Sequence, residues 1–327
     1  MAEYFVAWWN VENLFDVEHS PNRPESIENK VGKDLAGWTQ EILNKKIGQL
    51  VKIIRRLNGP AGPDLLGVCE VENRQVLEQL VNALNILNRN YGIVHVDSPD
   101  KRGIDVAFVY DKNKLAAHEQ FNHFVMRRTA TRDLFQVNFR TIPADKELRV
   151  IGNHWPSRSG GTLESEPYRQ IAGETLSYWM QRIVEIAGQN APVLIMGDFN
   201  DNPFDSSLLD YAQASNSSDK VKNAKSVPRL FNLMWPFCAQ GIGSHYYDSS
   251  PDVLDQFLIS RGVLTGEGGF SVKSNPEGKP QVKIEMVPEM MSGGVPDPIR
   301  FNLGGEADVN LNGYSDHYPI SLVLLES

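Results

Sequence analysis

The feature of this sequence that most constrains its fold is the alternation of short apolar runs with segments of helical periodicity. The first helical pattern repeats apolar side chains at Leu43, Ile47, Leu50, Ile54 and Leu57. An apolar run at 64–71 follows, then helical patterns at 73–88 and 165–188. Apolar residues at helical spacing are typical of amphipathic helices, and short apolar runs between them are typical of buried strands. The pattern favours an α/β fold.

Apolar runs of strand length recur along the whole chain. They cover residues 64–71, 91–96, 103–111, 134–139, 147–155, 191–199, 253–260 and 318–325. No fixed-period repeat appears and no linker divides the chain, so residues 1–327 are predicted to form one domain. Two polar segments rich in Gly, Pro and Asn, at 213–228 and 261–313, are predicted to be long loops or hairpin insertions.

Composition limits the class of protein. The chain is 41% hydrophobic and 22% charged, values typical of a soluble globular protein. No apolar run has the length of a membrane helix, and the start, MAEYFVAWWN, lacks the basic region and cleavage site of a secretory signal. Cys69 and Cys238 are the two cysteines, so one disulfide can form, but a reducing compartment fits this usage. We therefore expect a cytoplasmic protein with no membrane span, and no obligate protein partner is evident.

The charge distribution bears on the kind of ligand. The net charge of −9 argues against a protein that grips nucleic acid through bulk positive charge. Residues 100–160 nevertheless hold 11 Lys and Arg residues against 7 Asp and Glu residues. A modestly basic zone in an acidic protein suits a small anionic group better than a long duplex, although ordinary solvated surface charge explains it equally well.

Polar residues stand at the ends of apolar runs, where an α/β fold places its ligands. Six blocks contribute Asn10 and Glu12, Glu70, His154, Asp198 and Asn200, Asp255, and Asp316 with His317. Asn10 and Glu12 are two residues apart, so they are predicted to share one face of a strand. A single Asn or Asp at a strand end is more often a turn former than a ligand. Six such blocks in order are hard to explain as six independent turns.

These six blocks resemble the endonuclease/exonuclease/phosphatase superfamily of deoxyribonuclease-like metallohydrolases. The resemblance rests on NVENLFD, EVENR, RGIDVAFVYD, NHWPSRSGG, GDFNDNP and SDHYP, and it covers nearly the whole chain. Within the superfamily, the motifs are most similar to bacterial proteins related to extracellular nucleases. The resemblance implies a four-layer α/β sandwich of two mixed β-sheets packed face to face and flanked by helices. It also implies a divalent metal ion and hydrolysis of a phosphoester.

The metal ion that the resemblance implies is Mg²⁺, with Mn²⁺ or Ca²⁺ as alternatives. Mg²⁺ prefers oxygen ligands and retains several waters, so one or two carboxylates and a substrate phosphate can complete its shell. Glu70 is the first expected ligand, with Asn10 beside it, and Glu12 and Asp316 are candidates for the same or a second ion. Cys69 stands where the family often has Gln, and it is not expected to bind, because Mg²⁺ has little affinity for thiolate.

The resemblance also assigns catalytic roles. Asp198 is expected to orient or deprotonate the attacking water, and Asn200 to hold a non-bridging phosphate oxygen. His317 fits a phosphate-stabilising or acid/base histidine, with Asp255 fixing its tautomer.

A second histidine and several arginines complete the expected site. By family position, His154 faces the phosphate from the other side, and Asp97 is the expected carboxylate that orients it. Arg102 and Arg158 are predicted to bind substrate phosphate, because a guanidinium can donate two hydrogen bonds to phosphate oxygens. A nearby basic run that could follow a polyanionic backbone, or form a salt-bridged strand edge, contributes Arg127, Arg128 and Arg132.

Three functions are compatible with these residues. The favoured one is a metal-dependent nuclease or phosphodiesterase that hydrolyses nucleic acid by metal-assisted water attack. The alternative is a phosphatase or phosphodiesterase acting on a small or lipid phosphoester of the inositol phosphate or sphingomyelin type. A non-catalytic binding protein on the same fold is disfavoured, because the set of acidic and histidine residues is intact.

Overall fold

The computed structural model describes residues 1–293, 295–302 and 308–327. In chain order its strands are β1 (Ala2–Leu14), β2 (Leu65–Val71), β3 (Tyr91–His95), β4 (Asp105–Asp111), β5 (Leu115–His123), β6 (Leu134–Thr141), β7 (Glu147–His154), β8 (Val193–Asp198), β9 (Ala214–Ser215), β10 (Leu230–Asn232), β11 (His245–Tyr247), β12 (Ser250–Asp252), β13 (Asp255–Ile259), β14 (Phe270–Val272), β15 (Val282–Ile284), β16 (Met291–Ser292), β17 (Val295–Pro298) and β18 (Ile320–Glu326). The helices are α1 (Glu25–Val31), α2 (Gln40–Ile54), α3 (Arg74–Ala83), α4 (Thr162–Ala187), α5 (Ser218–Lys222), α6 (Trp235–Gln240) and α7 (Arg261–Thr265).

Most of these strands form two mixed sheets. The first has the order β14–β18–β1–β2–β4–β3, with β15 also paired to β18, and the second has the order β5–β6–β7–β8–β13–β10–β9. Parallel pairs, such as β1 with β2 and β7 with β8, have antiparallel neighbours. Helices α2 and α3 pack outside the first sheet, and α4 packs outside the second. The expected four-layer α/β sandwich is confirmed.

The two sheets approach closely at glycines. A Cβ atom on Gly67 of β2 would lie 2.6 Å from a ring carbon of Trp8 and 3.0 Å from the sulfur of Met196. A Cβ atom on Gly152 of β7 would lie 2.5 Å from a methyl carbon of Val106. Because such contacts are too short for a close-packed core, a larger side chain at either position would force the sheets apart.

The predicted elements agree with the observed ones. The three helical patterns correspond to α2, α3 and α4, and the eight apolar runs correspond to β2, β3, β4, β6, β7, β8, β13 and β18. Strand β5 was not predicted, because it is an edge strand whose sequence, LAAHEQFNH, is largely exposed and carries no apolar run. Apolar periodicity finds buried elements but not solvated edges.

One local prediction was wrong. Asn10 and Glu12 were expected to share a strand face, but Glu12 and Asn13 have left-handed backbone conformations, with φ of 51° and 55°. The pairing of β1 with β2 is irregular at the same point. Since the alternation of side chains requires extended backbone, this bulge gives Asn10 and Glu12 different neighbours.

The two polar segments contain short elements of their own. The segment 213–228 holds β9 and α5, and the segment 261–313 supplies β14 and β15 to the edge of the first sheet. Residues 294 and 303–307 of that second segment lie outside the described residues. Both cysteines are free thiols. None of the described helices is long and apolar enough to cross a membrane.

Candidate active site

Strand register brings three predicted residues of the second sheet together. β8 lies between β7 and β13, and its last residue, Asp198, pairs with His154 on one side and with Asp255 on the other. β7 and β8 are parallel and both end here, whereas β13 is antiparallel and begins here. One end of the sheet therefore presents all three residues side by side.

A cleft of about 630 Å³ opens at this end of the sandwich. Its lining includes nine of the predicted residues: Asn10, Glu70, Arg102, His154, Arg158, Asp198, Asn200, Asp316 and His317. Asp255 and Glu12 are buried and do not line the cleft. The fold thus gathers residues that are separated by up to 307 positions in the sequence into one site.

His317 is held from behind by Asp255. Its Nδ1 lies 2.7 Å from Oδ2 of Asp255, while the indole Nε1 of Trp8 donates to the other oxygen of that carboxylate at 3.0 Å. Burial alone would lower the pKa of His317, but Asp255 and Asp198 outweigh it and raise the pKa well above its usual value. The imidazole is therefore cationic at neutral pH, with Nδ1 turned to Asp255 and Nε2 left for the cleft.

His154 has the opposite character. Its Nε2 lies 3.6 Å from Oε1 of Glu70, and its buried Nδ1 has no hydrogen-bond partner among the described residues. Burial, reinforced by the cations of Arg132 and Arg102, lowers the pKa of His154 well below its usual value, so the ring is neutral. Asp97 was expected to orient this ring, which is wrong: its side chain is 86% exposed and does not contact His154.

Asp198 lies at the centre of a hydrogen-bond network. Its Oδ1 accepts from the backbone N–H of Asn200 at 2.9 Å, and its Oδ2 accepts from the side-chain amides of Asn10 and Asn200 at 3.1 and 3.2 Å. Burial raises the pKa of Asp198 to about 6, although the charge of His317 opposes the shift. Asn200 has a φ of 50°, and its amide also donates to the carbonyl of Trp155. These hydrogen bonds fix the orientation of the side chains of Asp198 and Asn200.

Glu70 and Asp316 present oxygen atoms to the cleft. Their side chains are 15% and 21% exposed, in contrast to the closed environment of Asp255. One oxygen of Glu70 accepts from the backbone N–H of Asn13 at 2.9 Å, which leaves the other towards Asn10 and His154. Partly exposed carboxylates fit a hard divalent cation. Two further groupings at the site that could hold a metal ion are His245 with Asp316 and His317, and Asp198 with Asp255 and His317.

Glu12 lies outside this set of cleft residues. Its carboxylate accepts from Nε of Arg300 at 3.0 Å and from the backbone N–H of Phe301 at 2.8 Å, and buried Lys46 lies 3.8 Å away. Burial raises the pKa of Glu12 to about 7, against the opposing charges of Lys46 and Arg300. Its oxygen atoms are engaged by the protein, whereas the side chain of Asn10 is turned to Asp198 and Glu70.

The predicted phosphate-binding arginine Arg158 is engaged by the protein on all three nitrogens. Nε donates to the carbonyl of Asn200 at 2.7 Å, Nη1 to Asp252 at 3.2 Å, and Nη2 to Asp201 and Asp205 at 3.3 and 3.0 Å. Its guanidinium therefore ties the strand exit after β7 to the loop that carries Asn200.

Arg102 is less constrained than Arg158. It lines the cleft, its side chain is 41% exposed, and its nearest carboxylate, on Asp100, lies 4.0 Å away. The more buried cation Arg132 instead pairs with Asp100 at 2.8 Å and donates to the carbonyls of His154 and Trp155. Arg132 thus holds the end of β7, whereas the guanidinium of Arg102 remains available to bind a ligand in the cleft.

Two residues of the cleft were not predicted. His245 lines it with its ring centroid 4.8 Å from that of His317, and Arg300 lines it from the segment after β17. His245 begins the short strand β11, and Arg300 follows the short strand β17. Neither GSHYYD nor PDPIRF contains an apolar run, so the search for polar residues at the ends of apolar runs could not detect them. The pKa of His245 is lowered by burial to about 4, so a neutral imidazole stands beside the cationic His317.

Comparison with known proteins identifies the family of the chain. The chain matches the model of the Endonuclease/Exonuclease/phosphatase family over residues 5–326 and therefore belongs to that family, which confirms the resemblance seen in the motifs. No curated protein matches the sequence.

Several solved structures share the fold. The catalytic domain of human Nocturnin superposes with a TM-score of 0.59 at 14% identity, covering 99% of this chain and 95% of that one. Truncated Caenorhabditis elegans TDP2 gives a TM-score of 0.55 at 13% identity, covering 99% and 98%. The mannosyl-6-phosphatase of Bacteroides thetaiotaomicron gives 0.55 at 16% identity, covering 98% and 99%.

Proposed function

We propose that this protein hydrolyses phosphoester bonds in the cleft, and that its substrates are phosphodiesters of nucleic acid. The observation that carries the proposal is the arrangement around Asp198. A cationic His317 backed by Asp255 stands on one side of that carboxylate, and a neutral His154 stands on the other. A buried carboxylate between two histidines of different charge suits attack of water on an anionic phosphorus centre.

Each side chain has a task in this reaction. Asp198, fixed by Asn10 and Asn200, orients the attacking water and accepts its proton. His317 donates a hydrogen bond from Nε2 to a phosphate oxygen, which stabilises the negative charge of the transition state. His154 contacts the phosphate from the opposite side. The amide of Asn200 donates to Trp155 and Asp198, so to hold a non-bridging oxygen it would have to give up one of these contacts when substrate binds.

The oxygen atoms of Glu70 and Asp316 fit a divalent metal ion, and we propose Mg²⁺, with Mn²⁺ or Ca²⁺ as alternatives. We propose Asn10, whose side chain lies next to that of Glu70, as a further ligand of this ion. When bound, the ion would neutralise phosphate charge and stabilise the leaving oxygen. Neutralisation is needed because two ionised carboxylates would otherwise repel an anionic substrate.

A specific surface supports nucleic acid as the substrate. Thr162 of the cleft begins α4, which also carries Tyr168, and the guanidinium of Arg127 lies over the ring of Tyr168 at 4.0 Å. Phe124 and Met126, next to Arg127 in the chain, are 59% and 75% exposed. Exposed aromatic rings beside arginines are typical of surfaces that bind unpaired bases and the phosphate backbone.

A small or lipid phosphoester is the second candidate. The net charge of −9 and the bounded cleft of about 630 Å³ favour a compact substrate over a long duplex. The name of one structural neighbour, mannosyl-6-phosphatase, is consistent with that reading.

The test is a parallel assay of one preparation. Plasmid DNA, RNA, a generic phosphodiester and inositol phosphates are incubated with Mg²⁺, with Mn²⁺ and with a chelator, beside the H317A variant. We expect metal-dependent cleavage of a nucleic acid that is lost in H317A. Cleavage of inositol phosphates alone would favour the second candidate, and no hydrolysis of any substrate would contradict both.

A further inference from the structure

The arginines of the cleft differ in how many donors they have left for a substrate. Arg158 uses all three nitrogens on protein acceptors. Arg300 uses two: Nε donates to Glu12 at 3.0 Å, and Nη2 lies 3.2 Å from Oδ2 of Asp316. Its Nη1 has no partner in the described part of the chain, and the side chain is 56% exposed within the lining of the cleft.

The guanidinium of Arg300 is also held in place before any substrate arrives. Glu12, which is 1% exposed, fixes Nε from the core side, and the same carboxylate accepts from the backbone N–H of Phe301. Asp316 fixes the far end of the group. A long side chain normally loses conformational entropy when it binds a ligand, and these two contacts mean that Arg300 has lost most of it already.

Charge explains part of this arrangement but not all of it. Asp316 and Glu12 are two negative groups, so a cation between them is stabilising. A cation needed only for that purpose could be buried, as Lys46 is beside Glu12. Arg300 instead lines the cleft with a side chain that is 56% exposed, next to the partly exposed carboxylate of Asp316.

We propose that Arg300 is a substrate-binding residue that donates from Nη1 to a non-bridging oxygen of a phosphate ester in the cleft. This inference rests on the proposed function and names the contact that Arg158 was predicted to make. Glu12 is its positioning residue, since it acts on the ligand only through the guanidinium. The ligand class is a phosphate mono- or diester, recognised by a charge-assisted hydrogen bond.

The experiment compares phosphate binding by R300Q, R300K and the wild type. Inorganic phosphate is titrated into the full-length protein with saturating Mg²⁺, by calorimetry or NMR, and KM and kcat are measured on a generic phosphodiester. R140Q is the matched control, because Arg140 also contacts two carboxylates, those of Asp145 and Glu147, but does not line the cleft. Thermal unfolding checks that each variant is folded.

We expect R300Q to weaken phosphate affinity and raise KM at least about tenfold, with a smaller change in kcat. R300K keeps the charge but not the planar geometry, so an intermediate loss is expected. R140Q should match the wild type. Wild-type affinity in folded R300Q would overturn the proposal, as would an equal loss in R140Q. If R300Q fails to fold, R300K decides in the same way.

The role of Glu12 has its own readout. E12Q should change phosphate affinity in the wild-type background but not in an R300Q background, because the effect passes through the guanidinium. An equal effect in both backgrounds would contradict the positioning role. If the wild type hydrolyses no phosphoester, the proposed function fails, whereas the phosphate titration still tests Arg300 independently.

Discussion

Nδ1 of His317 lies 2.7 Å from Oδ2 of Asp255, and this contact joins the approach to the last strand of the first sheet to the first residue of β13 in the second. Trp8, from the middle of β1, donates to the same carboxylate, so both sheets contribute to the position of one imidazole. The backbone carbonyl of His317 in turn accepts from Trp9 at 2.8 Å. The position of His317 in the site therefore depends on the packing of the two sheets against each other.

This pair gives the first prediction. H317A should reduce kcat for a phosphodiester by about two to four orders of magnitude, because it removes the cationic donor to the phosphate. D255N should lose less, since its remaining carbonyl can still accept from Nδ1 of His317. Steady-state kinetics check both variants, with thermal unfolding to confirm folding. Near-wild-type turnover in H317A would refute the assigned role.

Replacement of His154 should reduce hydrolysis far more than it reduces the stability of the protein. Because its Nδ1 bonds no described residue, H154A breaks no hydrogen bond from that atom. We expect a loss of about 1–3 kcal/mol in the free energy of unfolding from the cavity alone, with hydrolysis reduced by about two to four orders of magnitude. Urea denaturation and kinetics measure the two effects. A folded H154A with full activity would show that the histidine has no part in the reaction.

The sequence predicted the parts of the site that strands deliver. His154, Asp198 and Asp255 stand at the ends of apolar runs, and their proximity follows from the parallel and antiparallel register of three neighbouring strands. The environment of Arg158 could not be predicted in this way, because its acceptors lie 42 to 94 residues away, on the loop after β8 and at the end of the short strand β12.

The remaining differences also have local physical causes. The side chain of Glu12 turns away from the cleft because Glu12 and Asn13 have left-handed backbone conformations inside a strand. A pattern of apolar residues does not predict such a conformation. Arg300 is in an irregular segment whose position is set by a long-range contact with Glu12. Periodicity reports which residues are buried, but it does not report which polar atoms meet across the fold.

The free energy of unfolding should decrease as the pH is lowered below about 6.5, in part because of His123. Its Nε2 lies 2.8 Å from Oε1 of Gln136, its ring stacks on Trp179 at 4.2 Å, and burial lowers its pKa. The unfolded chain, with a histidine pKa of about 6.5, then binds more protons than the folded one, so stability is present above that pH and is lost as pH falls through the folded pKa.

The measurement compares H123Q with the wild type by urea denaturation at several pH values from neutral to acidic. H123Q should remove a dependence of up to about 1.4 kcal/mol per pH unit. His154 and His245, whose pKa values are also lowered by burial, remain in both proteins and leave a residual slope. Identical profiles would show that His123 is protonated equally in both states.

Arg158 should act chiefly on stability. R158A removes the cation shared by Asp201, Asp205 and Asp252, so we expect the free energy of unfolding to fall by about 1–3 kcal/mol. R56A is the control, because Arg56 forms an exposed pair with Glu289 and should cost less than about 1 kcal/mol. If R158A instead unfolds like the wild type but loses phosphate affinity, Arg158 binds substrate as the sequence first suggested.

Metal affinity should distinguish Glu70 from Glu12. E70Q keeps an oxygen that can accept from the backbone of Asn13 but removes a carboxylate of the cleft, so Mg²⁺ affinity should fall at least about tenfold. E12Q alters a carboxylate already engaged by Arg300 and Phe301, so the Mg²⁺ affinity of this variant should stay within about threefold of that of the wild type. Calorimetric titration of the chelator-treated protein with Mg²⁺ measures both, without reference to turnover. Loss of binding in E12Q would place the ion against Glu12 instead, and unchanged binding in E70Q would exclude Glu70 as a ligand.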